Sequence, residues 1–215
     1  MRKLYCISGL GADKRVFKKL NIKCELIPID WIEVEKKESL KAYSHRLAEK
    51  IDTRESFGIL GVSFGGLVAV EISKILNPKI TILISSVETK NELRLIYKIM
   101  GKSKLVSLVP EQLFSPPILL AYYIFGARDK KLLKEILHDT DLKFAKWAVR
   151  ELLYWKNEER LKNRVVKIGG EKDKLIPPRL DENLNLIKEG GHFMIVDKAE
   201  EISEIINLAI QDLES

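Results

Sequence analysis

The chain has 215 residues, 46% apolar and 32% charged, a balance that excludes a disordered or fibrous polymer and suits one substantial hydrophobic core. Its 37 basic and 31 acidic residues, net +6, are mixed along the whole length, which argues against a nucleic-acid-binding surface. No stretch supplies the roughly 20 apolar residues that a membrane-spanning helix requires. Met1-Arg2-Lys3-Leu4 lacks the apolar core of a signal peptide behind it, so a cytoplasmic protein is expected. Cys6 and Cys24 are too few for a disulfide scaffold or a metal site and read as reduced thiols, with a bridge between them open if their strands are neighbours.

In chain order, Leu4 to Ser8 reads as a strand ending in a tight loop at Gly9 and Gly11, and Cys24 to Ile27 as a second strand stopped by Pro28. Leu40, Tyr43, Leu47 and Ile51 recur at helical spacing. Phe57 to Val62 is a strand, Leu67 to Leu76 a helix ending at Asn77-Pro78, and Ile80 to Ile84 a β-branched run of the kind covered on both faces. Strand and helix alternate as in a parallel α/β sheet.

That alternation breaks from Glu88 to Asn163, where helices are expected at Glu92 to Met100, Pro117 to Phe125, Lys130 to Leu137 and Asp141 to Lys156, with Trp147 and Trp155 toward the flanks of the apolar stripe of the last. The sheet resumes at Val165 to Ile168 and Leu184 to Ile187, and an amphipathic helix over Asp197 to Leu213 follows, with Ile202, Ile205, Ile206, Ala209 and Leu213 on one face. The expected organisation is a core from 1–87 and 164–215 with an all-helical insertion over 88–163.

Gly61-Val62-Ser63-Phe64-Gly65-Gly66 lies between a predicted strand and a predicted helix. A residue forced into so tight a turn needs small neighbours two positions either side, and the turn pushes the Ser63 hydroxyl clear of the sheet. A serine nucleophile needs a base. His45 and His138 sit on predicted helices and read as surface or packing residues, whereas His192 follows Gly190-Gly191 after the last strand. Loops at the carboxyl ends of parallel strands converge on one crevice, where Ser63 and His192 can meet. Asp173, after the strand at Val165 to Ile168, is the candidate carboxylate to orient the histidine, with Glu171 and Glu88 as rivals. An oxyanion would need N–H donors, and the backbones of Phe64 and Leu10 are best placed to supply them.

The order Ser63, Asp173, His192 with the glycine-rich first loop resembles the α/β-hydrolase superfamily, and most closely its small esterase-like members. The resemblance covers essentially the whole chain, including Gly-x-x-Asp ending in Pro177 and Gly-Gly-His-Phe at 190–193. It implies nucleophile Ser63, acid Asp173, base His192, oxyanion donors Leu10 and Phe64, a helical cap over an acyl pocket, and no metal or organic cofactor. Ser8 stands where many relatives have a loop histidine, leaving that loop's geometry open. The chain begins at the strand that is normally third, so about six strands are expected, mostly parallel and flanked by helices.

The implied activity is hydrolysis of a carboxylic ester or thioester of apolar or aromatic character, by a monomer or homodimer. A cofactor-free lyase or carbon–carbon bond hydrolase on a small anionic metabolite would want a cation from Arg15, Arg94, Arg128 or Arg150. A non-catalytic ligand receptor or scaffold is a further alternative. A membrane-contacting surface would use Leu119, Leu120, Tyr122, Tyr123, Ile124 and Phe125, which serve more simply as a pocket wall or a dimer contact.

Overall fold

A computed structural model describes residues 1–103, 105–179, 181 and 183–213. Six parallel strands form its sheet in the order β2-β1-β3-β4-β5-β6: β1 Lys3–Ile7, β2 Glu25–Ile29, β3 Phe57–Val62, β4 Ile80–Ile84, β5 Arg164–Gly170 and β6 Leu184–Ile187. The helices are α1 Leu40–Ala48, α2 Phe64–Leu76, α3 Leu95–Ser103, α4 Ile118–Phe125, α5 Lys130–Asp139, α6 Leu142–Tyr154, α7 Met194–Asp197 and α8 Ala199–Gln211. Among the described residues, all regular structure between β4 and β5 is helical, α3 to α6 with short 3₁₀ turns.

Alternate residues of each strand feed two separate cores. Leu4, Cys6, Leu60 and Ile82 face Phe17, Ile202 and Ile206 on one side. Tyr5, Ile7, Ile59 and Leu83 face Tyr43, Leu47 and Leu67 on the other. Burial on both faces explains the near-continuous β-branched run of β4. The chain leaves β1 toward β2 and then builds β3 on the opposite side, so the crevice between the ends of β1 and β3 is the sheet's switch point, where ligand sites of such sheets lie.

Pro28 does not stop β2, which runs through it to Ile29 with Pro28 opposite Cys6. β2 is an edge strand, and a missing N–H costs nothing on the side that faces solvent. α2 begins at Phe64, three residues ahead of the apolar run that marks it in the sequence. Trp147, expected toward the flank of the apolar stripe, is part of the buried face of α6. It is buried 4.6 Å from the Tyr43 ring, with its indole N–H donated to the Glu38 carbonyl at 2.9 Å. Trp155 is buried too and donates to Glu71 at 2.7 Å. The C-terminal helix is divided into α7 and α8, with Lys198 between them. No disulfide joins Cys6 and Cys24, and burial pushes the Cys6 pKa up, away from reactivity. No helix of the described residues is long and apolar enough to cross a membrane.

The insertion is fastened to β5 by a buried cation. Lys167 Nζ lies 2.8 Å from Asp181, 3.0 Å from Glu92 and 3.4 Å from Glu88. Burial works against the Lys167 charge, yet hydrogen bonds to Asp181 and Glu92 outweigh it and raise the pKa. Burial likewise works to raise the Asp181 pKa, and Lys167 holds it below the ordinary value. Lys167→Met leaves these carboxylates facing one another and should lower the unfolding free energy by about 3–5 kcal/mol, read by urea denaturation at neutral pH. A depressed carboxylate contributes its full stability only above its unfolded pKa, so the deficit should begin to shrink as pH falls below about 4 and continue to shrink through the lower native pKa of Asp181.

Candidate active site

Ser63 joins β3 directly to α2 with φ 52° and ψ −122°, a conformation that serine rarely adopts. The turn is held by the Ser63 N–H donating to Ile84 O at 2.9 Å and by Ser86 Oγ donating to Ser63 O at 2.7 Å. Two glycines allow it. A Cβ on Gly65 would overlap the Ser8 carbonyl oxygen, and one on Gly61 would overlap the backbone of Gly65 and Gly66. α2 is thereby drawn against the loop after β1.

Ser63 Oγ lies 2.9 Å from His192 Nε2, and His192 Nδ1 lies 2.8 and 3.0 Å from the two oxygens of Asp173. Asp173 is buried, and its Oδ1 also accepts the N–H groups of Leu175 at 3.0 Å and Ile176 at 2.9 Å. These donors hold a carboxylate in its acceptor form, which sets Nδ1 as the histidine donor and leaves Nε2 as an acceptor toward Ser63. His192 is buried beside Phe125, ring centroids 5.6 Å apart, and the Phe193 N–H donates to Phe125 O at 3.0 Å. The last helical residue before Gly126 thus braces the histidine loop.

Neither rival carboxylate reaches His192. Glu88 accepts the Leu161 N–H at 2.7 Å beside Lys167, and Glu171 accepts the Glu189 N–H at 3.0 Å on the surface. His45 is exposed on α1, and His138 is exposed beside Asp139.

The loop after β1 is a tight turn, its Ala12 N–H bonded to Gly9 O at 3.0 Å. Ser8 Oγ donates to Ala12 O at 2.7 Å, and the Trp31 indole donates to the same carbonyl at 3.0 Å. Ser8 therefore holds the loop from inside. Trp31 and Thr140, whose hydroxyl lies 3.2 Å from Gly11 O, are supports that no local pattern in the sequence marks. Leu10 and Phe64 both border the cavity that opens at Ser63 and His192.

That cavity holds about 340 Å³, within the roughly 300–1,000 Å³ range of small-molecule sites. Phe125, Leu133, Ile136, Leu142, Val149 and Ile195 are among its walls, and no charged side chain of the described residues lines it. Arg15 is paired with Asp13 and Asp139, Arg94 donates to Lys174 O and Arg150 to Glu151, so these guanidiniums are engaged elsewhere. Arg128 is exposed and outside the wall. Ile124 and Phe125 face the cavity and Tyr122 packs on the core, while Leu119, Leu120 and Tyr123 are exposed. Among the described residues no cluster of three His, Cys, Asp or Glu side chains could hold a metal ion.

Gly65→Ala tests the packing of the elbow. The added methyl has only backbone to displace, and the variant should lose on the order of 1–3 kcal/mol or more of stability, measured by thermal unfolding. Ala substituted at exposed Gly126 would be opposed by its positive φ of 60° and by a Cβ contact of 3.2 Å with Gly191 Cα, longer than the contact at Gly65, and serves as the milder control.

No protein-family model matches the chain, and no curated protein sequence does. Solved structures resemble it over nearly its whole length. ClbQ from the colibactin NRPS/PKS pathway is 16% identical with a TM-score of 0.67, the match covering 99% of this chain and 98% of that one. MenH from S. aureus is 18% identical with a TM-score of 0.72, covering 100% and 95%. A thermophilic esterase from Thermogutta terrifontis is 12% identical with a TM-score of 0.72, covering 100% and 91%. With six parallel strands, a serine elbow after β3 and a helical insertion after β4, the chain has the α/β-hydrolase fold.

Proposed function

We propose that the protein is a serine hydrolase that cleaves an ester or thioester of an apolar acyl group, with Ser63 as nucleophile, His192 as base and Asp173 as the carboxylate that orients it. The observation that carries this reading is the continuous line of hydrogen bonds from Asp173 through His192 to Ser63 at the mouth of an uncharged cavity.

In this mechanism His192 Nε2 takes the Ser63 proton as Oγ attacks the acyl carbonyl. The oxyanion lies against the N–H groups of Leu10 and Phe64, the second at the start of α2 where the helix dipole favours negative charge. Asp173 stabilises the imidazolium, which then protonates the departing alcohol or thiol. Water, deprotonated by the same histidine, attacks the acyl-enzyme, and the free acid leaves. Residues 1–87 and 164–215 supply this machinery and 88–163 the roof of the acyl site.

The uncharged wall favours this reading over a lyase acting on a small anionic metabolite, since a buried charge without a partner is strongly disfavoured. The esterase among the similar structures fits the same chemistry.

A fluorophosphonate probe should add once to the native chain, as read by intact mass, and not at all to Ser63→Ala. A folded native protein that admits the probe and remains unlabelled would overturn the reading. Asp173→Asn should lower kcat by on the order of 10⁴-fold with little change in folding. Across p-nitrophenyl esters, kcat/KM should rise by up to about fourfold for each methylene that enters the cavity and fall sharply when the acyl chain ends in a carboxylate.

A further inference from the structure

The elements that wall the cavity on one side are apolar on the other. α4 has no charged side chain, and only its Ala121 is fully buried. A helix apolar all round is ordinarily buried all round, yet Leu119 is 78% exposed and Tyr123 66%. Leu95 and Ile99 of α3 and Leu113 in the turn before α4 are exposed as well. α3 and α4 each touch the Lys174–Leu175 segment: Arg94, just before α3, donates to Lys174 O at 2.8 Å, Tyr97 Oη donates to Leu175 O at 2.9 Å, and Lys174 Nζ stands 3.1 Å from the centroid of the Tyr123 ring. The start of α3 and the end of α4 thus flank the same segment, Lys174–Leu175.

Basic residues outnumber acidic ones around this surface. Among the described residues from Leu93 to Ala127, Arg94, Lys98 and Lys102 are basic and Glu111 is acidic. Beside α3 a groove of about 800 Å³ with Leu93, Leu95 and Ile99 in its wall is edged by Lys98, Lys102 and Lys156 and by Lys90, which is paired with Glu158, the one acid on it among the described residues. Apolar side chains ringed by lysine match a partner with a negative outer layer over an apolar interior. A second copy related by a two-fold axis would bring lysine against lysine.

We infer that the outer face of the helical insertion docks on an anionic lipid bilayer. Leu95, Leu113, Leu119 and Tyr123 enter the headgroup layer, and Lys98, Lys102 and Lys174 meet its phosphates. The docking requires no turnover, so it stands or falls apart from the hydrolase reading.

The test is co-sedimentation of the full chain, carrying Ser63→Ala, with vesicles of phosphatidylcholine alone or mixed with phosphatidylglycerol. The protein should pellet with the mixed vesicles, far less with the neutral ones, and be released by high salt. Leu119→Ser with Tyr123→Ser, and separately Lys98→Glu with Lys102→Glu, should each lower the partition coefficient by on the order of tenfold or more at an unchanged melting temperature. In the Ser63 background the same pairs should hydrolyse a water-soluble ester at the native rate. Failure to pellet with mixed vesicles, pelleting untouched by either pair, or a dimer in light scattering that the Leu119/Tyr123 pair dissolves would overturn the inference. Vesicle binding by a protein that takes no fluorophosphonate would support it while overturning only the hydrolase reading.

Discussion

A serine with φ 52° stores strain, on the order of 1–3 kcal/mol, that its surroundings must hold in place, and much of the site is arranged by that need. The Ser63 N–H is bound to β4, its carbonyl is bound by Ser86, and the helix that begins beside it is pressed onto the carbonyl end of β1. One forced turn therefore sets the serine hydroxyl, the first N–H of α2 and the first loop in a single small volume. The crevice at the switch point becomes polar at its floor because backbone and hydroxyl groups have nowhere else to converge.

Polar and apolar parts of the site come from different places in the chain. Ser63, Asp173 and His192 follow strands of the sheet, whereas Phe125, Leu133, Ile136, Leu142 and Val149 of the wall come from the insertion. Burying Asp173 would be costly alone, and two backbone N–H groups and the His192 ring offset the loss of water. The two parts are coupled through backbone contacts: Phe125 O to Phe193 N–H, and Thr140 to Gly11 O. A ligand that displaced α4 or the α5–α6 turn would act directly on the histidine loop and on the first loop.

The six strands, the elbow and the pairing of His192 with Asp173 are legible in the sequence because each has a local mark: β-branched runs, glycines at fixed distance from a serine, and a histidine in a glycine turn. The start of α2 is less legible because Gly65 and Gly66 have poor helix propensity and are there for close approach. Pro28 reads as a strand breaker until β2 is known to be an edge. Trp31, Trp147 and Thr140 act across long separations that no window of sequence spans. α4 is the hardest case, since eight apolar residues in a row have no period from which to tell the side facing the cavity from the side facing solvent.

The clash between a methyl at Gly65 and the Ser8 carbonyl bears on descent as well as on packing. Selection for folding alone would keep glycine at that position, because the contact is between backbone and backbone and does not depend on the serine hydroxyl. A lineage of this chain that lost its chemistry would be released from the need for the Ser63 hydroxyl and still retain Gly61 and Gly65. The glycines are in that sense a record of architecture, and the hydroxyl and imidazole between and beyond them are the part that tracks use.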